Sequence, residues 1–129
     1  MPQTPKKHAL LLIENFDKMR NILGRQCAEN GYEVAATGSL ESALTLAKNE
    51  HPDVIIFDFN MKMMHDPYVA VSLLHNALPK GEIIILYRGE LGLIEKLRSL
   101  GASSIIHPKN IETELNRKLH HNTTGDLMC

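Results

Sequence analysis

The sequence predicts an α/β fold, an open parallel sheet of five strands that is doubly wound by helices and built from five βα units. Short apolar runs alternate five times with longer amphipathic segments, which is the pattern of successive βα units. The runs are continuously apolar, as strands covered by helices on both faces are. Five strands are too few for an eight-stranded barrel, and 129 residues is the length of one domain.

Each predicted strand is a short apolar run of ordinary strand length. The runs are Ala9–Ile13, Tyr32–Ala36, Val54–Phe57, Ile83–Leu86 and Ser104–Ile106. Because the carboxyl ends of parallel strands share one edge of the sheet, ligands and chemistry are expected at that edge.

The segments between the runs carry apolar residues at helical spacing and end at helix-stop signals. The predicted helices are Phe16–Cys27 before Asn30-Gly31, Leu40–Ala47 after the N-cap Ser39, Val69–Leu78 before Pro79, Leu91–Leu97 before Gly101, and Ile111–Leu119 after the cap Asn110. From His120 onward the chain is polar and contains a glycine, so the last helix is predicted to fray there. These boundaries give a loose leader (1–7), one folded domain (8–120) and a C-terminal tail (121–129).

Composition excludes several classes of protein. Hydrophobic residues make up 43% and charged residues 22%, which is typical of a globular chain. The formal net charge of −1 gives no reason to expect a nucleic-acid partner, and the longest apolar runs are far too short to cross a bilayer. The two cysteines, Cys27 and Cys129, do not make a disulfide framework or a zinc site. We therefore expect a soluble cytoplasmic domain with neither nucleic-acid nor membrane partners.

Candidate site residues follow the first, third, fourth and fifth predicted strands. They are Glu14 and Asn15 after the first, Asp58 after the third, Tyr87 and Arg88 after the fourth, and His107 and Lys109 after the fifth. Carboxylates that meet at this edge of a sheet suggest a site for a hard cation such as Mg²⁺. The alternative is that Glu14 and Asn15 only cap the first helix. Asp58 is less easily explained as structural, because an unpaired charge at the edge of a core is costly.

Three segments resemble the receiver domain of two-component response regulators, in the style of the chemotaxis receiver. Ile13–Arg20 resembles the stretch from the acidic pair into the first helix, and Pro52–Met61 resembles the segment ending in the phosphoacceptor aspartate. Gly101–Ser103 resembles the glycine-alanine step before the fifth strand. The resemblance covers roughly Lys7 to Leu119 and implies a flavodoxin-like sheet with strand order 2-1-3-4-5.

The resemblance also implies roles for individual residues. Asp58 takes the position of the phosphoacceptor, phosphorylated by a histidine kinase or a phosphotransfer protein. Mg²⁺ would be held by Asp58, by Glu14 and Asn15 in the positions of the acidic pair, and by the backbone carbonyl of Asn60. A lysine after the fifth strand normally neutralises the phosphoryl oxygens, and a Ser or Thr after the fourth strand normally hydrogen-bonds them.

Several positions depart from this pattern. Asn15 replaces a carboxylate, so Mg²⁺ is expected to bind weakly. Tyr87 stands at the switch position in place of Ser or Thr, and Arg88 follows it in place of a small residue. No Phe, Tyr or Trp occurs from Arg88 to Cys129, so the switch aromatic of the fifth strand is missing. The phosphoryl response is therefore expected to be altered.

The phosphoryl counter-charge is ambiguous in the sequence. Without a gap, Pro108 occupies the lysine position and Lys109 follows it, whereas one deletion places His107 there. Lys62 replaces a proline in the loop after Asp58, where it either brings a positive charge near the acceptor or is a solvated loop residue.

The predicted function is that of a stand-alone, atypical receiver domain without enzymatic activity. Its output would come from binding a downstream signalling protein, and two versions remain open. Either Asp58 is still phosphorylated with altered switching, or phosphorylation is lost and the fold is a constitutive docking surface. The alternative from another class is a small α/β ligand-binding module that uses the crevice at the strand ends.

Overall fold

The computed structural model describes residues 8–59, 66–89 and 91–128. The strands are β1 (Ala9–Ile13), β2 (Glu33–Thr37), β3 (Val54–Asp58), β4 (Glu82–Leu86) and β5 (Ser104–Ile106). The helices are α1 (Asp17–Glu29), α2 (Leu40–Glu50), α3 (Pro67–Ala77), α4 (Ile94–Ser99) and α5 (Ile111–Met128). Single 3₁₀ turns, Leu91–Leu93 and Pro108–Asn110, precede α4 and α5.

The sheet is parallel throughout and has the strand order β2-β1-β3-β4-β5, as predicted. Ile13 on β1 is aligned with Phe57 on β3, and Asp58 at the end of β3 is aligned with Leu86 on β4. This register places the residues that follow β1, β3 and β4 beside one another at the same edge of the sheet.

Two apolar layers enclose the sheet, which explains why its strands are apolar on both faces. Leu11 and Ile13 pack with residues of α2, α3 and α4 on one face. Leu10 and Leu12 pack with residues of α1 and α5 on the other. Since successive side chains of a strand point to opposite faces, one continuous apolar run serves both layers.

Some element boundaries differ from the prediction. β2 begins at Glu33 rather than Tyr32, and the Tyr32 side chain is buried against α5, with its hydroxyl 3.5 Å from the Leu119 carbonyl. α4 is short because a 3₁₀ turn takes up its first residues.

The predictions for both ends of α5 also differ from the structure. His107, not Asn110, caps the turn before α5, because its Nδ1 accepts a hydrogen bond from the Lys109 amide at 3.1 Å. The helix runs on past His120 to Met128 instead of fraying. The stretch contains no proline, and Gly125 costs a helix only about 1 kcal/mol relative to alanine.

Across the described part of the chain, none of the helices combines the length and apolarity needed to span a membrane.

Candidate functional site

Two carboxyl groups meet where β1 and β3 end. Glu14 follows β1 and is only 1% exposed, while Asp58 is the last residue of β3 and is partly exposed. The two side chains are hydrogen-bonded to each other. One carboxylate oxygen of Glu14, Oε1, also accepts a hydrogen bond from the Phe16 amide at 3.1 Å. The parallel register therefore brings together the two acidic residues that the sequence singled out.

The Glu14 carboxyl binds a proton far more tightly than an ordinary glutamate. Burial is the main cause, followed by the hydrogen bond to Asp58 and the negative charge of Asp58, and together they raise the Glu14 pKa to about 8. The Phe16 amide and the Arg20 guanidinium oppose this shift. The raised pKa favours the protonated form of the Glu14 carboxyl at neutral pH.

Asn15 adds a third oxygen to this edge of the sheet. Its Oδ1 is buried and has no hydrogen-bond partner among the residues described. A buried amide oxygen without a donor costs free energy unless it meets a cation or water. Carboxyl and amide oxygens are the hard donors that Mg²⁺ prefers, so the chemistry of these three residues fits the ion. Within the described ranges no group of three or more His, Cys, Asp or Glu side chains forms a metal cluster.

Arg20 holds the loop between β1 and α1 in place, and the sequence analysis missed it. Its Nη1 donates to the Glu14 carbonyl at 2.9 Å, and its Nη2 donates to Asp17 at 2.5 Å. The β2–α2 loop passes close by, since a Cβ on Gly38 would lie 3.0 Å from Nη1. The one available signal was the spacing of Asp17 and Arg20, which suits an ion pair on a helix.

A cavity of about 470 Å³ opens beside the carboxyl pair. Its lining combines the two acids, two cations and an apolar wall, namely Glu14, Asp58, Lys18, Arg88, Phe16, Met19 and Ile22. Phe16 and Ile22 are large apolar side chains that are 48% and 50% exposed. The site is thus an acidic centre with a positively charged rim and an apolar side formed by α1.

Tyr87, at the end of β4, belongs to the core rather than to the cavity. It is 5% exposed, and its ring meets the ring of Phe59 edge-on, with centroids 5.3 Å apart. Phe59 in turn meets Tyr68 of α3 edge-on at 5.0 Å, and the Lys96 ammonium lies 4.0 Å above the Tyr68 ring. Gly89 is also packed against the phenol, since a Cβ there would overlap the Tyr87 hydroxyl. The Tyr87 ring is held from several sides.

The two residues predicted to supply the phosphoryl counter-charge follow β5. Lys109 lines a groove between α1 and α5, together with Pro108 and Asn116. His107 is exposed, and its Nδ1 accepts a hydrogen bond from the Lys109 amide. The cations in the lining of the acidic cavity are Lys18 and Arg88. The role of Lys109 or His107 as the counter-charge stays a prediction.

Other predicted site residues fall outside the described ranges. They are Asn60, which was expected to offer a carbonyl to the metal, and Lys62, which follows it in the same loop.

An open parallel sheet of order 2-1-3-4-5 with acidic residues at its carboxyl edge is the arrangement found in receiver domains. The sequence model of the response regulator receiver domain matches residues 10–120. The chain therefore belongs to the response regulator receiver family, whose members act in two-component signalling. No curated protein sequence matches the chain at a significant level.

Solved structures of receiver domains share the fold at low sequence identity. A LuxR-family response regulator from Aurantimonas sp. SI85-9A1 superposes with a TM-score of 0.80 at 18% identity, over 93% of this chain and 87% of that one. The receiver domain of a sensor histidine kinase from Pseudomonas aeruginosa PAO1 was solved with a magnesium ion in its active-site cleft. It superposes with a TM-score of 0.74 at 22% identity, over 90% of this chain and 97% of that one. A Burkholderia pseudomallei response regulator with a phosphorylated aspartic acid and a calcium ion superposes with a TM-score of 0.77 at 19% identity, over 94% of this chain and 71% of that one.

Proposed function

We propose that this domain is an atypical receiver in two-component or phosphorelay signalling, whose Asp58 is phosphorylated inefficiently and whose output depends little on that phosphorylation. The observation that carries this proposal is the packing of Tyr87, the residue at the switch position, inside the core against Phe59. The domain would act by protein–protein contact, with a histidine kinase or phosphotransfer protein and with a downstream signalling protein as partners.

Asp58 is proposed as the phosphoacceptor. It is the carboxylate at the end of β3, it lines an open cavity, and it lies beside Glu14. In the proposed step, a carboxylate oxygen of Asp58 attacks the phosphorus of a phosphohistidine on the donor. A new O–P bond forms, the P–N bond to the imidazole breaks, and its electron pair leaves with the imidazole. Asp58 is accessible to the donor because it lines the cavity and is partly exposed.

Mg²⁺ is the proposed cofactor, bound weakly. Glu14, Asn15 and Asp58 would hold the ion, which neutralises charge on the transferring phosphoryl group when bound. Two features weaken its binding. Asn15 contributes an oxygen without charge, and Glu14 must lose its proton, held with a pKa of about 8, before both carboxylates can face the cation. Low metal affinity and a protonated pair together make phosphorylation inefficient.

The proposed weak coupling of Asp58 to the rest of the domain follows from the packing of Tyr87. A ligand shifts a conformational equilibrium only by its differential affinity for the two states. In receivers that switch, a small hydroxyl at this position approaches the phosphoryl group. Here the position carries a phenol packed against Phe59 and Gly89, and moving it would disrupt edge-to-face and van der Waals contacts in the core.

Partner binding is supported by the apolar side of α1. Phe16 and Ile22 are about half exposed and lie beside the acidic cavity. A phosphodonor protein that reaches Asp58 would contact them, and exposed apolar groups next to a site are typical of protein interfaces.

Intact mass spectrometry after incubation with acetyl phosphate and Mg²⁺ tests the proposed phosphorylation. We expect a minor fraction of the wild type to gain the mass of one phosphoryl group, and none of Asp58→Asn to do so. Asn15→Asp should increase the modified fraction, because it restores a charged metal ligand. Modification that persists in Asp58→Asn, or complete modification of the wild type at low Mg²⁺, would contradict the proposal.

A further inference from the structure

The acidic cavity holds two cationic side chains that come from different elements. Lys18 lies in the first turn of α1, and Arg88 lies in the loop after β4. Both line the cavity together with Asp58, and both are exposed at its rim. We propose that Arg88, assisted by Lys18, supplies the positive charge that receives the phosphoryl oxygens on Asp58. This inference rests on the proposed role of Asp58 and names a source of counter-charge other than Lys109 and His107.

The other cationic side chains near this edge either have hydrogen-bond partners or line a different groove. The Arg20 guanidinium binds the Glu14 carbonyl and Asp17. Lys109 lines the groove between α1 and α5, and the His107 Nδ1 already accepts a backbone hydrogen bond. By contrast, no hydrogen bond or ion pair engages the side chain of Arg88 or Lys18 within residues 8–59, 66–89 and 91–128. Their charges are available for a ligand.

The two cations of the cavity lining favour an anion. Lys18 and Arg88 come from different elements, and both line the cavity into which Asp58 opens. A phosphoryl group entering beside Asp58 therefore meets two positive charges even where Mg²⁺ binds weakly.

The chemistry of arginine suits this task. Its planar guanidinium presents donors in a fork that matches two oxygens of a phosphoryl group, whereas a lysine ammonium acts as a point charge. Arg88 also follows Tyr87 directly, and the buried Tyr87 ring anchors the backbone from which the Arg88 side chain starts. Arg88 is thus assigned as the main contact and Lys18 as the weaker one.

Binding of beryllofluoride, a phosphoryl mimic, tests the assignment. The purified 129-residue chain is titrated with beryllofluoride at fixed Mg²⁺, and amide chemical shifts near Asp58 report the apparent affinity. Arg88→Ala should weaken binding by roughly tenfold, the size expected for a lost hydrogen bond to a charged group. Arg88→Lys should retain part of the affinity for beryllofluoride. Lys18→Ala should weaken that affinity roughly threefold, which is the size expected for losing an exposed charge. The matched controls Lys109→Ala and Arg98→Ala should change binding by less than about twofold.

Titration with Mg²⁺ alone separates a charge effect from structural damage. Removing a positive charge next to a cation site should leave the Mg²⁺ affinity of Arg88→Ala unchanged or tighter. If Arg88→Ala weakened Mg²⁺ and beryllofluoride binding alike, or if Lys109→Ala weakened beryllofluoride binding as much as Arg88→Ala, the assignment would be wrong while Asp58 remained the acceptor. If wild type and Asp58→Asn gave the same beryllofluoride response, the proposed function itself would fail, and the assignment with it.

Discussion

The Glu14→Gln substitution tests the raised pKa of the buried Glu14 carboxyl. Glutamine keeps the size of Glu14 and an oxygen that can accept from the Phe16 amide, but it cannot ionise. In the wild type without metal, the folded chain holds a proton on Glu14 up to a pKa of about 8, whereas the unfolded chain releases it near 4.5. Between these values the folded state binds more protons, so the free energy of unfolding falls as the pH rises.

The magnitude follows from the two pKa values. From pH 5.5 to 7.5, this one group removes about 2.5 kcal/mol from the free energy of unfolding, an upper bound from full proton linkage. The substituted chain lacks this contribution. Between pH 5.5 and 7.5, the free energy of unfolding of Glu14→Gln should therefore rise relative to that of the wild type by up to about 2.5 kcal/mol.

Urea unfolding in EDTA at pH 5.5, 6.5 and 7.5 measures this difference. The control is Glu41→Gln, which changes an exposed glutamate in the first turn of α2. Its free energy of unfolding should differ from that of the wild type by the same amount at every pH. If the free energies of unfolding of the wild type and Glu14→Gln changed equally with pH, Glu14 would titrate as an ordinary carboxyl. The raised pKa of Glu14 would then be refuted.

Three further predictions concern the residues around this pair. Asn15→Asp should tighten Mg²⁺ binding by roughly tenfold, measured by calorimetric titration, because it adds an anionic ligand; an unchanged affinity would mean that this side chain does not face the metal. Asp58→Asn should stabilise the metal-free protein at pH 7.5 by about 1 kcal/mol, since it removes a charge beside Glu14, and added Mg²⁺ should erase the gain; a loss of stability in urea would make Asp58 structural. Gly89→Ala should destabilise by about 1–3 kcal/mol, because its methyl group would overlap the Tyr87 phenol; an unchanged urea midpoint would contradict that packing.

The fold was predictable because its signals are local and repeated. Runs such as Ala9–Ile13 and Val54–Phe57 are apolar at every position, and only strands covered on both faces need that pattern. The end of α5 was not predictable from composition, since polar residues around Gly125 are compatible with either a helix or a frayed tail.

The site was predictable only in part. The pairing of Glu14 with Asp58 follows from parallel register, because residues that end neighbouring parallel strands must meet. The counter-charge depends on how the loops after β4 and β5 turn, which no periodicity encodes. Order along the chain therefore predicted Lys109, whereas only the structure shows that Arg88 lines the acidic cavity and that Lys109 lines the groove between α1 and α5.

The central claim is that Asp58 is weakly coupled to the rest of the domain because the switch position is filled by a buried phenol. Amide chemical shifts of the wild type, recorded with and without beryllofluoride and Mg²⁺, test it most directly. We predict changes confined to the surroundings of Asp58, Glu14 and Arg88, with small changes along α4, β5 and α5. Widespread changes across α4 and β5 would show that Tyr87 moves with the phosphoryl group, and would contradict the account.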